Sequence, residues 1–235
     1  EDNIAFGLEA FAKLNYKNIY ISADPWLINL YDMQDRYQSV DQLYKHWLNH
    51  MELNLPPKLF LTSRLIETES SWIDYSLSSL RSSLFLDYKN MVPSNGEAEA
   101  YDKKAYDGSH IYNEHFINQS NDVRLSFAGP LNYSMSEFEY DSVAIENLEN
   151  LVSYLKSNRV NVILVLSPYH PLLYQIMEKQ KTIFVEIEDW YREFAKRSGI
   201  GIIGSYDGNI IGCVENEFYD GMHPKNSCMQ KLFTN

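Results

Sequence analysis

The sequence predicts an α/β fold built on a parallel sheet, and three observations carry that expectation. Asn161 to Ser167 (NVILVLS) is a continuous apolar run of the kind buried on both faces in parallel sheets. Ile200 to Gly204 is a second short apolar run. Between and before them lie helical periodicities, Ile183, Ile187, Tyr191 and Phe194 in one, and Ile145, Leu148, Val152 and Leu155 in the other. Helix, strand, helix, strand with tight connections is the signature of parallel strands.

Taken in order, Ile4, Leu8, Phe11 and Leu14 share one helical face directly after Glu1-Asp2-Asn3. A packed element this close to the start predicts a mature piece of a longer chain. Asn18 to Ser22 reads as a short buried strand, ended at Asp24-Pro25-Trp26 because Pro25 disfavours helix at Asp24. Residues 27 to 86 are rich in Tyr, Trp, Leu and Ser. They show helical spacing in Leu43, His46, Trp47, His50 and Met51, a break at Pro56-Pro57, and a second helical stretch through Ile66, Trp72, Tyr75, Leu77 and Leu80. From 87 to 140 Asn, Asp, Gly, Ser and Tyr dominate, with turns at Pro93-Ser94-Asn95-Gly96 and Tyr106-Asp107-Gly108-Ser109. Residues 27–140 are thus expected to be a large, mostly helical and irregular insertion within one domain, 1–235. Asp141 or Ser142 caps the helix that follows, and Gly199 closes the last long one. Ligands of such sheets sit beyond the C-terminal strand ends, which directs attention to Asp24, to Ser167-Pro168-Tyr169-His170, and to the segment after Gly204.

Composition narrows the partners. Lys and Arg number 20 against 32 Asp and Glu, a net charge of -12, which argues against nucleic acid because phosphate neutralisation needs clustered cations. No apolar run approaches the roughly 18 residues of a membrane span, and the opening residues carry no signal-peptide pattern. The acidic balance suits a neutral or weakly charged ligand better than a polyanion.

The sharpest chemical signal is Phe218-Tyr219-Asp220-Gly221-Met222-His223-Pro224. An acid three residues before a His, across a Gly, lets the carboxylate accept from one imidazole nitrogen while the other takes a proton from a nucleophile. The alternative is a turn whose Asp caps a helix starting near Pro224, with His223 merely exposed. Ser167, before Pro168-Tyr169-His170, lacks the small neighbours of a nucleophile elbow and reads as a strand end. His46 and His50 have zinc-ligand spacing but Trp47-Leu48-Asn49 between them rather than a Glu, and Asp107, His110 and His115 form only a loose cluster. No metal and no cofactor is expected. Cys213 and Cys228 bracket the Asp-x-x-His block, either as a disulfide in an oxidising compartment or as two buried thiols in the cytosol.

With Asp220-x-x-His223-Pro224 placed after the last strand, the chain resembles the SGNH (GDSL-like) hydrolase superfamily, and within it the exported, cell-envelope branch of polysaccharide acyltransferases and esterases. The resemblance covers residues 4–26 and 141–233. It implies a flavodoxin-like three-layer sandwich, with His223 as general base and Asp220 as its orienting partner. It further implies an extracytoplasmic setting, a Cys213–Cys228 disulfide, and an anchoring segment outside this chain. The implied partners are a polysaccharide or other glycan and a membrane protein donating the acyl group. Asp24, Trp26, Tyr169 and His170 are the expected substrate-binding residues. The family's Gly-Asp-Ser-like turn is absent, so the implied nucleophilic Ser and the first two strands lie upstream of Glu1. Where the family carries a Gly-x-Asn-Asp-like block the chain has Ser22-Ala23-Asp24-Pro25, and an ionised carboxylate cannot donate to an oxyanion. The expected function is transfer or hydrolysis of an acyl group, most simply acetyl, on a polysaccharide. The alternative is a catalytically silent SGNH-like module that binds glycan or scaffolds a polysaccharide-export complex.

Overall fold

A computed structural model of the chain describes residues 8, 11–12, 16–31, 41–53, 103–104, 110–111 and 137–234. Its sheet contains three parallel strands, β1 (Asn18–Ser22), β4 (Asn161–Leu166) and β5 (Gly201–Gly204), in the order β1-β4-β5. Tyr20 stands opposite Ile163 and Ile163 opposite Gly201. With its helices this is a small α/β fold. β4 is central, and its alternate residues Val162, Leu164 and Leu166 are fully buried while Ile163 and Val165 are partly covered. β1, which stands at one end of the described strand order, differs from the buried strand the sequence suggests: Ile19 and Ile21 are half-buried and Tyr20 is exposed.

Among the described residues, helices pack around this sheet or its ends. α1 (Asp41–Glu52) lies within the expected insertion, yet it buries Leu43, Tyr44, Trp47 and Met51 in the main core. Trp47 meets Tyr154 of α2 (Ser142–Ser157) at a ring separation of 6.4 Å. Asp141 is the residue that caps α2, accepting from the Val143 and Ala144 amides at 2.8 and 3.2 Å. A short α3 (Pro171–Ile176) precedes α4 (Glu178–Ser198). Phe184, Ile187, Tyr191, Phe194 and Ala195 give α4 its buried stripe, displaced by one position from the Ile183 of the sequence pattern. α4 ends where Gly199 takes the left-handed conformation, φ 60°. Each large apolar side chain so buried contributes about 1.5–3 kcal/mol. Of the expected first helix, Leu8 and Phe11 are helical and buried, while Ile4 and Leu14 lie outside the described residues.

The chain leaves the sheet through a 3-10 turn at Pro25–Ile28 and returns beside its own exit. Asn29 bridges Tyr140, the Leu30 amide donates to the Glu139 carbonyl at 2.8 Å, and the Asp141 amide donates to the Ile28 carbonyl at 2.9 Å. Contacts divide the chain into a unit of residues 1–60 with 121–235 and a unit of 61–120. Within the second, β2 (Lys103–Lys104) pairs antiparallel with β3 (His110–Ile111). Pro56-Pro57, the helical stretch from Ile66 to Leu80 and the turns at 93–96 and 106–109 lie outside the described residues.

Candidate functional site

Beyond β5 the chain forms two short helices, α5 (Gly208–Ile211) and α6 (Asn226–Lys231), with a tight loop between them. Phe218 bridges Pro224 across that loop, the Tyr219 amide donates to the His223 carbonyl at 2.8 Å, and Asp220-Gly221-Met222 forms the tip. Asp220 Oδ1 accepts from the Met222 and His223 amides at 2.7 and 2.8 Å, the local bonding by which Asp builds turns. Its other oxygen, Oδ2, sits 2.7 Å from His223 Nδ1. Both readings of the sequence therefore meet in one residue: Asp220 organises the turn and also grips the imidazole. It does not cap a helix at Pro224, because α6 begins at Asn226.

The electrostatics follow from that contact. The Asp220 hydrogen bond raises the His223 imidazole above its ordinary 6.5; partial burial opposes this, and the charges of Asp220 and Asp24 add to it. Burial alone would push the Asp220 carboxyl up. The hydrogen bond and charge of His223, with the two amides, more than offset it and hold Asp220 below the ordinary 3.8. With Nδ1 protonated toward Asp220, the lone pair of neutral His223 resides on Nε2. Asp220 is largely enclosed, 12% exposed, whereas the His223 side chain is 53% exposed. A fixed acid and an accessible imidazole are what general-base work requires.

The tip is fastened to the C-terminal end of the sheet. The His170 amide, four residues past β4, donates to the Gly221 carbonyl at 2.9 Å, and the His170 ring lies 5.2 Å from that of Phe218. Asp24, two residues past β1, is close enough to His223 for each charge to influence the other. Burial pushes the Asp24 carboxyl up, partly countered by the Ser22 hydroxyl donating to Oδ2 at 2.7 Å and by His223. Buried tyrosines fix this strand end: Tyr191 donates to the Asp24 carbonyl at 3.1 Å and Tyr206 to that of Ala23. Burial holds both hydroxyls well above their usual range, so they stay donors.

The other expected substrate contacts fall differently. Tyr169 is 4% exposed, packed on Phe184 and Tyr206, and the His170 ring is 0% exposed, its Nδ1 accepting from the Leu172 amide at 3.2 Å to start α3. Neither presents a surface to a ligand; they hold the floor on which the tip rests. Trp26 is half-buried against the main core. Ser167 lies just past the end of β4. Two contributors escaped the sequence pattern. Glu188 on α4 accepts from the Ser205 hydroxyl at 3.0 Å and the Tyr206 amide at 2.8 Å, and Arg192 joins Glu188 to the Gly204 carbonyl. Together they fix the exit from β5 that delivers Tyr206 to the Ala23 carbonyl. A Glu–Arg pair four apart was the available signal, but it reads as an ordinary surface pair.

Cys213 and Cys228 are joined, with a Cα–Cα distance of 5.2 Å and the Asp220–His223 pair inside the closed loop. His46 and His50 share one face of α1 with ring centres 4.4 Å apart. Among the described residues no cluster of three metal-ligating side chains occurs and no helix is long and apolar enough to cross a membrane. His110 lies in β3, while Asp107 and His115 lie outside the described residues. No protein-family model, curated protein or solved structure matches the chain.

Proposed function

We propose that this chain carries the base half of an SGNH-like ester-active site, moving or removing an acyl group on an extracytoplasmic glycan. The observation that supports the reading best is the closed Asp220–His223 pair, held by the His170 amide just beyond the end of a central parallel strand. In this reading the sheet is the flavodoxin-like one, β1, β4 and β5 are its third, fourth and fifth strands, and a Ser from outside residues 1–235 is the nucleophile. His223 Nε2 takes the serine proton as the hydroxyl oxygen attacks the acyl carbon. Asp220 stabilises the imidazolium, and the proton passes to the departing alcohol. A sugar hydroxyl or water then accepts the acyl group by the reverse sequence.

One observation favours a silent glycan-binding or scaffolding module instead: Asp24, a carboxylate when ionised, stands beside His223 where an amide donor would serve an oxyanion. A fluorophosphonate probe and nitrophenyl-acetate turnover on the full-length protein, compared with His223→Ala, separate the two. Labelling of a serine together with a large loss in the variant is expected. Equal rates in both proteins would remove the catalytic reading.

A further inference from the structure

The segment that holds the Asp220–His223 pair has a core of its own. Cys213, Phe218 and Cys228 are buried together as an apolar cluster distinct from the main one, with Ile211 packed against it. Two of the three members are the bonded cysteines, so the sulfur bridge supplies most of that core. Several bonds also run within the segment. Glu217 accepts from the Val214 amide at 2.9 Å and from Lys231 Nζ at 2.6 Å, and Lys231 also reaches the Gly212 carbonyl at 2.7 Å. The Lys225 amide donates to the Glu217 carbonyl at 2.7 Å. Regular structure within the bridge is slight: a 3-10 turn at Glu215–Glu217 and the first residues of α6. The His170 amide on Gly221 ties the tip to the sheet, and Met222 at the tip packs against the main core. Phe218 connects the two levels, packing on the disulfide beneath the tip and facing the His170 ring at its side.

We propose that Cys213, Cys228 and Phe218 are positioning residues for the Asp220–His223 pair: the bridge closes a local module that sets the pair's geometry, and reducing it releases the pair while the sheet stays folded. The reduction is a two-electron step in which a dithiol such as dithiothreitol becomes a cyclic disulfide and each cysteine sulfur gains a hydrogen. Cys228 is fully buried, so the exchange requires the segment to open locally, the type of excursion that small peripheral units undergo before the global core does. Phe218 and two unlinked thiols are then left to fill the cluster, and the two arms of the loop lose their covalent closure. The consequence for ester turnover rests on the reading of His223 as base; the geometric claim does not.

The test is nitrogen-detected NMR of the His223 ring in the whole chain, oxidised, reduced with dithiothreitol and reoxidised, beside a Cys213→Ala, Cys228→Ala double variant. Far-UV circular dichroism and thermal melting follow the sheet in the same samples. The oxidised chain is expected to show the Nδ1–H form of neutral His223 and a pKa above 6.5. On reduction the pKa falls toward 6.5 and the Nδ1–H signature is lost, both returning on reoxidation, with the dichroism unchanged. An unmoved ring in the reduced chain overturns the proposal. So does loss of the whole fold, which would make the bridge a global staple instead. A reversible ring shift in a protein that never turns over an ester would remove the catalytic reading and leave this one standing.

Discussion

Replacing Asp220 by Asn separates chemistry from stability at this site. The amide oxygen of Asn still accepts from the Met222 and His223 amides, which now stand 2.7 and 2.8 Å from Oδ1, so the turn is retained. What changes is the second position, where a carboxylate oxygen 2.7 Å from Nδ1 becomes an N–H. A donor there forces His223 to present its lone pair through Nδ1 and to carry its hydrogen on Nε2, the wrong nitrogen for a base. A hydrogen bond to a charged group contributes about 1.5–3 kcal/mol in general. Because the imidazole is 53% exposed, screening reduces this to about 1 kcal/mol here. For a chain of this size that is roughly 2–4 °C in melting temperature. The same exchange in a Ser-His-Asp site lowers kcat by about 10⁴, or roughly 5.5 kcal/mol of transition-state stabilisation. Thermal melting and nitrophenyl-acetate turnover on the full-length protein measure the two effects side by side. Turnover within about tenfold of the parent would refute the assignment of His223 as a base oriented by Asp220.

Further expectations rest on the same atoms. Turnover rises with pH through the His223 pKa, because the base must be neutral, and its midpoint lies above 6.5 in the parent and moves down when Asp24 becomes Asn, which removes a neighbouring negative charge. The Asp220–His223 bond stabilises the fold fully below 6.5, losing force as pH climbs through the raised His223 value. At the acid end it fades as pH falls through the lowered value of Asp220, so urea titrations place its contribution between those limits. Asp24 has the opposite sense: its carboxyl is raised by burial, so ionisation costs stability as pH rises above 3.8. Asp24→Asn therefore raises the melting temperature at pH 7 and leaves it unchanged at pH 2; no gain at pH 7 would contradict the placement of that carboxyl. Gly204→Ala puts a Cβ 2.2 Å from the Leu166 carbonyl oxygen at φ 89°, and a loss of more than about 2 kcal/mol by denaturant titration is expected.

The long apolar run at 161–166 and the stripe along α4 were legible because each is long enough for its period to show against noise. Asp141 as a cap and Gly199 as a stop were equally plain, since each answers to a local backbone need. α1 was legible as a helix but not as core. Its spacing shows an apolar face, and nothing in the spacing says that Trp47 would meet Tyr154 across about a hundred residues of chain. The exposure of Tyr20 on β1 was likewise hidden, because Asn-Ile-Tyr-Ile-Ser suits a strand covered on both faces and one covered on a single face equally well. At the site, Asp220 and His223 declared themselves by spacing. Tyr169 and His170 are buried, which the spacing did not show: a strand end marks where ligands gather without saying which side chains face them. His170 turns inward: Pro171 begins α3 at the next residue, and the imidazole becomes its cap.

Asp24 and Asp220 pull on the same imidazole, and the balance between them determines what His223 can do. A raised pKa makes a stronger base but leaves a smaller fraction neutral at a given pH, so rate gains from basicity are lost once the pKa passes the working pH. Asp220 acts through a hydrogen bond, which also fixes the ring; Asp24 acts through charge alone and fixes nothing. Burial weakens the second pull by raising the Asp24 carboxyl, so that near its pKa a proton taken up there relieves the load on His223. The two acids thus divide the work: one orients the imidazole at every pH where it is ionised, and the other adjusts its affinity for a proton. Exchanging Asp24 for Asn should shift the pH–rate midpoint and leave the plateau rate within about threefold if Asp24 acts only by charge. A collapse of the plateau would show that its carboxyl also contacts the reacting groups.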